Sequence, residues 1–342
     1  MKTNKINHPP GTLIYTGEFT SQETKMELYA FDENEYVIQR ISSINEIPET
    51  QHKKWLNVIG FNNIEIIQEI GNHFHISDLV LEDILNTDHR SKLEYVDDKL
   101  FAVLKMVYIR NNRIVHEQLS MLVMDNLIIT FQEIEGDVFD VLRGRITNGK
   151  GNVRKLNIDY LFYAMLDAMV DHYFTALEYV ENLIDDVEEM VMEEDNNAMD
   201  KIYATKKELI FLRSSILPIK DLIRNLTSED FGLVNDTTKV FFSDLNDHLM
   251  EITDALMLDR ELVSSLTETH ISNISNNMNK VMTVLTIFSA IFIPLSFLTG
   301  FFGMNFVTFP ALYYTYGVQL FIGGCIALAV GMIAFFKYKG WL

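Results

Sequence analysis

Carboxylates are the residues of this chain best placed to do chemistry. Glu178, Glu181, Asp185, Asp186, Glu188, Glu189, Glu193, Glu194, Asp195 and Asp200 follow one another with no Lys or Arg between them. Ten like charges in 23 residues repel at i,i+4 spacing on a helix unless cations or a basic partner screen them. The run fits a solvated hairpin tip and a cation-collecting surface equally well. A second series, Asp244, Asp247, Glu251 and Asp254, has spacings of three, four and three. Its carboxylates therefore share one helix face, where a hard divalent cation finds oxygen ligands. His73 and His75 beside Asp78, Glu82 and Asp83 invite a transition-metal reading. Two histidines two positions apart on a helix point different ways, so a polar helix surface is the better account.

Catalytic motifs are absent. The chain has no G-x-x-x-x-G-K-S/T phosphate loop, no G-x-G-x-x-G and no G-x-S-x-G, and His116-Glu117 lacks the second histidine four residues on that a zincin helix needs. It reads as a protein that is not an enzyme and holds no organic cofactor. The single cysteine, Cys325, excludes a disulfide framework or a multi-cysteine metal cluster and reads as a small packing residue. A formal net charge of −20 argues against nucleic acid, whose phosphates need a basic face. Cations are the expected partners.

These groups sit on a chain whose charge and apolar residues are segregated. The 342 residues are 48% hydrophobic and 22% charged, yet Val281 to Phe336 contains no Asp, Glu, Lys, Arg or His. A bilayer core of about 30 Å needs roughly 20 helical residues, so these 56 residues hold two spans and a short connection. The spans are expected near Val281 to Phe302 and Gly317 to Phe336. Lys280 precedes the first, and Lys337 and Lys339 follow the second, which predicts cytoplasmic termini on both sides. No cleaved targeting segment is visible at Met1 to Gly11. The first span carries Asn279, Thr283, Thr286, Ser289, Ser296 and Thr299 among apolar residues, and these can line a hydrated path. Two spans cannot enclose a pore alone, so conduction requires several copies around an axis. In the second span Gly323, Ala327 and Gly331 form a stripe at which another helix can pack closely.

The charged part divides further. Leu28 to Ile38, Lys53 to Phe61, Lys99 to Arg110 and Leu119 to Gln132 read as strands, with Asn111-Asn112 as a hairpin turn. Ile64 to Asn86 reads as helix, and the glycines of Gly144 to Gly151 suggest a boundary. The expected units are an α/β domain over 1–150, an acidic helical hairpin over 151–235, a stalk and first span over 236–302, an outer loop over 303–316 and the second span with its tail over 317–342. Asp236 to Thr238 supplies the N-cap side chains that start the third long helix.

At the end of the first span stands Thr299-Gly300-Phe301-Phe302-Gly303-Met304-Asn305-Phe306, and here the sequence resembles the CorA family of magnesium channels. The Gly-Met-Asn tripeptide lies at the exit of the penultimate span, as in that family. Lys53 to Val58, Leu79 to Asn86 with His89-Arg90, Glu208 to Pro218, Asn279 to Thr286 and the closing Lys339-Gly340-Trp341-Leu342 are similar too. The resemblance implies an αβα sandwich, a long stalk helix and two C-terminal transmembrane helices, assembled as a homopentameric funnel in a bacterial or archaeal plasma membrane.

The implied activity is Mg2+ influx, with Co2+ and Ni2+ as further ions, closed by intracellular Mg2+. Gly303, Met304 and Asn305 take the place of the selectivity filter, where a ring of amide oxygens can accept hydrogen bonds from the water shell that Mg2+ is slow to shed. Asn279, Met282, Leu285, Ser289, Ile293 and Ser296 take the axis-facing positions, with Met282 and Leu285 as an apolar gate. Polarity alone favours Thr283 and Thr286. Glu82 and Asp83 of one subunit and Asp244 of its neighbour, helped by Asp167, take the regulatory Mg2+ positions. The loop Phe309-Pro310-Ala311-Leu312 lacks the acidic residues frequent there in the family. A zinc transporter of the same superfamily and a non-conducting membrane-anchored sensor of divalent ions are the alternatives.

Overall fold

The computed structural model describes residues 8–87, 89–228, 234–304 and 314–341. The apolar runs of the first part form strands β1 (Lys25–Phe31), β2 (Tyr36–Ile41), β3 (Lys53–Ile59), β4 (Lys92–Val96), β5 (Lys99–Arg110), β6 (Arg113–Val123) and β7 (Leu127–Gln132). They make one sheet in the order β2-β1-β3-β7-β6-β5-β4. Only β3 and β7 run parallel; the other neighbours are antiparallel. Asn111 and Asn112 turn the β5–β6 hairpin with φ of 52° and 57°, the double left-handed geometry that suits the twist of a two-residue hairpin.

Strand periodicity sorts side chains to two faces. On β5, Leu100, Ala102, Leu104 and Met106 join one core, whereas Phe101 and Val103 join the other. Helices α1 (Ile64–Phe74) and α2 (Asp78–Leu85) bury Ile67, Ile70, Leu81 and Ile84 in the second core. The first core is covered by α3 (Asp140–Asn148), α4 (Ile158–Met192), α5 (Ala198–Ser228) and the early turns of α6 (Asp236–Phe302). The result is the expected αβα sandwich. α6 then runs on for 67 residues in all, roughly 100 Å at 1.5 Å per residue, and α7 (Gly317–Tyr338) follows.

Several local expectations change. The strand expected over Leu28 to Ile38 is a hairpin, because Asp32 Oδ1 accepts the Asn34 and Glu35 amides at 2.7 and 2.8 Å and turns the chain. Leu119 to Gln132 likewise splits between β6 and β7. The helix expected over Ile64 to Asn86 breaks at His75, which takes the left-handed conformation at φ 52° as α1 ends, and Ser77 then caps α2. The two helices pack so closely that a Cβ on Gly71 would meet Leu81 Cδ1 at 2.4 Å. α3 runs through Gly144 and ends at Gly149, whose φ is 64°.

The long helices are joined by a buried carboxylate. Asp159, 2% exposed at the start of α4, accepts the backbone and side-chain amides of Asn235 at 2.8 and 2.9 Å. Asn235 is the residue that opens α6, so one buried side chain holds the point where the stalk begins. Farther along, Asn273 donates to the Val191 carbonyl near the end of α4 at 3.1 Å. Both asparagines head Asn-x-Ser/Thr triplets, and their amides are used for packing.

Candidate functional site: carboxylates on the sheet domain and one face of the long helix

Ser77 starts α2 by accepting from the Val80 amide, which carries Glu82 and Asp83 onto the last turn of that helix. Both are half-buried and engaged within the subunit. Asp83 pairs with Lys92 Nζ at 2.8 Å and lies 3.3 Å from His89 Nε2. Lys92 also reaches Glu94 at 2.7 Å. Burial works to lower the Lys92 ammonium, but its bonds to Asp83 and Glu94 outweigh that and raise it, so Lys92 stays charged. Glu82 accepts the Gly11 amide at 2.6 Å.

Asp167 and Asp244 belong to the other side of the sheet, on α4 and α6. Burial raises the Asp167 carboxyl, and its neighbour Asp171 raises it further; Arg145, Tyr163 and His248 oppose this. Arg145 Nη1 stands 4.0 Å from Asp167, and the Tyr163 hydroxyl donates to it at 3.4 Å. A cleft of about 30 Å3 opens among Arg145, Asp167, Asp171 and His172. Asp244 is exposed and acts with Asp167 on the same Tyr163 hydroxyl, whose titration burial and both carboxylates push upward. Within one subunit the fold thus brings Asp167 and Asp244 together and keeps Glu82 and Asp83 apart from them, across the sheet.

The acidic run, from the last turns of α4 to the first turn of α5, faces outward. Nine of its ten carboxylates are exposed, Asp195 being half-buried, and the series Asp247, Glu251 and Asp254 is exposed as well. One carboxyl packs against the run: Asp259 of α6 is pushed up to about 6 by burial and then by Glu181. His73 and His75 do not converge, since His75 is spent on the left-handed end of α1. The sequence reading passed over Asp32, Glu35 and His52, whose ligand atoms lie within 4.8 Å of one another where the β1–β2 turn meets the start of β3. His52 Nε2 lies 3.4 Å from Asp32 and 3.8 Å from Glu35 at this exposed to half-buried position. Reading Leu28 to Ile38 as one strand hid the turn that assembles them.

On α6 the residues expected to face an axis lie along one exposed stripe of the helix. Met282, Leu285 and Ile293 are 57%, 66% and 67% exposed in the single chain. Asn279 and Ser296 are exposed too, and Ser289 is half-buried. The opposite stripe, through Thr283, Ile287, Pro294, Leu298 and Phe302, is the more covered one, and Phe302 meets Phe321 of α7 with ring centroids 4.6 Å apart. Thr283 and Thr286 donate their hydroxyls to the Asn279 and Met282 carbonyls at 2.9 and 2.7 Å. Their polarity is thereby consumed inside the helix, as Ser and Thr back-bonding allows in an apolar setting.

α6 ends at Gly303, whose amide bonds to the Thr299 carbonyl at 2.9 Å. Gly303 keeps helical backbone at φ −83°. Its glycine character serves close approach, because a Cβ there would stand 3.1 Å from the Thr299 carbonyl oxygen. Met304 is 56% exposed just beyond. Asn305, the third member of the tripeptide, and the loop residues Phe309 to Leu312 lie outside the described residues. The windows of α6 and α7 that are apolar and long enough to cross a membrane are 6% and 0% buried within the chain.

Comparison with known proteins bears on this arrangement. A family model described as CorA-like Mg2+ transporter protein matches residues 51–338. The chain is 37% identical over 339 residues to the cobalt/magnesium transport protein CorA of Thermotoga maritima, covering 98% of this chain and 97% of that one. A zinc transport protein, ZntB of Yersinia enterocolitica, is 22% identical over 78% of this chain and 81% of its own length. The complete structure of the CorA magnesium transporter from Methanocaldococcus jannaschii superposes with a TM-score of 0.80 at 20% identity, over 93% of this chain and 98% of that one. That likeness extends from the sheet domain through the long helix to both apolar helices.

Proposed function

The chain belongs to the CorA-like Mg2+ transporter family, a membrane protein with two C-terminal apolar helices, and from that premise we propose that it is a homopentameric channel for Mg2+ influx. The observation that carries the reading is the open face of α6. Asn279, Met282, Leu285, Ile293 and Ser296 are exposed in the single chain, and they run up to Gly303-Met304-Asn305. Five such faces around an axis make a path that is polar at Asn279, Ser289 and Ser296 and apolar at Met282 and Leu285. A narrow apolar ring closes by shedding its water. Asn305 presents amide oxygens to the hydrated ion at the outer mouth.

The driving force needs no nucleotide. A divalent ion crossing 100 mV gains about 4.6 kcal/mol, which fits a chain without a phosphate loop. With the sheet domain in the cytoplasm and both termini on that side of a bacterial or archaeal plasma membrane, an inside-negative potential draws the ion inward. Co2+ and Ni2+ follow the same route.

Closure is assigned to Mg2+ held between subunits, by Glu82 and Asp83 of one and Asp244 of the next, with Asp167 behind. Since the two sets lie across the sheet from each other, only a neighbouring copy can join them. Asp83 is already paired with Lys92, so the ion competes with an internal cation and the site is weak, as a sensor of intracellular Mg2+ requires. Loss of the ion leaves facing carboxylates to repel and the stalks to splay.

The test is Mg2+ uptake into proteoliposomes under an imposed inside-negative potential, comparing wild type with Asn305→Ala. Potential-driven uptake that the substitution abolishes supports conduction with selection at Asn305. No uptake by assembled wild type at any internal Mg2+ leaves the non-conducting sensor as the better reading, and preference for Zn2+ over Mg2+ in the same assay points to the zinc transporter. For the regulatory site, Asp244→Lys should weaken the protection that Mg2+ gives against proteolysis; unchanged protection defeats that assignment.

A further inference from the structure

Gly340 and Trp341, just past α7, turn the chain back toward α6. α7 stops in a Schellman turn: Gly340 adopts φ 71°, its amide bonds to the Lys337 carbonyl at 3.1 Å, and the Trp341 amide bonds to the Phe336 carbonyl at 3.0 Å. The hydrophobic contact that accompanies this motif is present, with the Trp341 and Phe336 rings 5.8 Å apart and 14° from parallel. Phe336 is 6% exposed, and it is the buried residue of α7 as Ile287 is of the apolar half of α6, among the described residues. The turn therefore fixes the direction in which the indole leaves α7.

That direction is toward α6. A cavity of about 330 Å3 is lined by Trp341 on one side and by Asn279, Met282, Thr283 and Thr286 on the other. These four α6 positions follow i, i+3, i+4 and i+7, one face of the helix, and that face adjoins the stripe holding Met282 and Leu285. The wall is largely apolar, since the two threonine hydroxyls are turned to their own helix and leave methyl groups outward. In the single chain this space between Trp341 and α6 is open, and a shift of α6 toward the ring closes it.

We propose that Trp341 is a positioning residue for the gate: aimed by the Gly340 turn, its indole limits the movement of α6 at the level of Met282 and so holds the constriction closed when intracellular Mg2+ is bound. This rests on the channel reading above and adds a second support to the one between the cytoplasmic domains. It also gives Gly340 a function separable from packing. A Cβ at Gly340 meets nothing within 4 Å, so a substitution there acts through backbone conformation alone. Asn tolerates the left-handed region and Val does not.

The experiment measures Mg2+ uptake by the reconstituted full chain as a function of internal Mg2+, for wild type, Trp341→Ala, Trp341→Phe, Gly340→Val and Gly340→Asn. Trp341→Ala and Gly340→Val should raise residual uptake at saturating internal Mg2+ by at least about fivefold, the lower end of ordinary coupling between sites. Trp341→Phe and Gly340→Asn should restore most of the closure. Alongside, Thr286→Cys in a Cys325→Ala background is labelled with a thiol reagent; its rate should depend on Mg2+ with Trp341 present and lose that dependence with Trp341→Ala. If wild type takes up no Mg2+ the channel reading fails, while the labelling still tests the tryptophan. Superimposable labelling and inhibition curves across the variants, or a shift toward tighter closure, overturn the proposal.

Discussion

Side chains of the same type are treated in opposite ways at the two ends of this molecule. In the sheet domain Trp55, Phe31, Phe101 and Phe131 are wholly buried, whereas Phe288, Phe297, Ile293 and Val330 in α6 and α7 are 59%, 69%, 67% and 60% exposed. Trp55 illustrates the first regime. It stacks on Tyr29 at 4.6 Å, meets Phe139 edge-on at 5.7 Å, lies under the Arg143 guanidinium at 5.1 Å and donates its indole N–H to Thr130 at 2.8 Å. Every requirement of that side chain is met by its own chain. The apolar helices meet almost none of theirs, because lipid replaces a protein core and neighbouring copies replace tertiary packing. One end is complete as a subunit, and the other becomes so only in its bilayer and assembly.

Substitutions can break or sharpen this contrast. Trp55→Ala should cost about 3–5 kcal/mol through lost packing and the cavity left behind, read as a drop in the denaturant midpoint of the solubilised protein. Asp159→Ala removes the acceptor of both amides of the exposed Asn235 and should cost about 1–3 kcal/mol for the two bonds, together with faster hydrogen exchange at the start of α6. Val330→Ala, on an exposed face of α7, should move the same midpoint by no more than about 0.5 kcal/mol. A loss there equal to that of Trp55→Ala would erase the distinction between the two ends.

A subtler effect concerns pH in the sheet domain. Burial pushes the Glu117 carboxyl up to about 8, although the Ile134 and Glu133 amides bond to it and pull the other way. The native state then holds a proton that the unfolded chain has released above its ordinary value of 4.5. Stability from this group falls as pH rises from about 4.5 to 8 and is level beyond. Glu117→Gln keeps an oxygen acceptor for both amides and should flatten that slope, which denaturation at pH 5, 7 and 9 would show; an unchanged slope places the proton elsewhere.

Much of this was legible in the chain before folding. The strand Lys99 to Arg110 and its Asn111-Asn112 turn are local, whereas α6 starts at Asp236 without the side-chain cap expected from Asp236 to Thr238 and is held there by Asp159. The sharpest reading, two spans in 56 uncharged residues, needs only the thickness of a bilayer. Breaks within apolar runs were harder, because Asp32 and His75 turn the chain by single side-chain or left-handed contacts that leave hydrophobic periodicity intact. At the site, Gly303-Met304-Asn305 and the carboxylates were visible as residues. Their surroundings were not: the Asp83–Lys92 pair spans a helix and a strand, and Thr283 and Thr286 look pore-like until their hydroxyls are seen bonded to Asn279 and Met282.

The sequence by itself therefore determined where charge stops and which segments can enter a membrane, since these follow from composition and the rise of a helix. The stripe of α6 through Met282 and Leu285 was singled out by the family resemblance, against the threonines that polarity favoured. Only the tertiary structure decided what each carboxylate and ring touches. Asp159 finds Asn235 across 76 positions, Asp167 and Asp244 converge on Tyr163, and Trp341 returns to α6 because a left-handed glycine aims it there. Such contacts join residues distant in the chain, and their energies depend on burial and orientation, which no local pattern encodes.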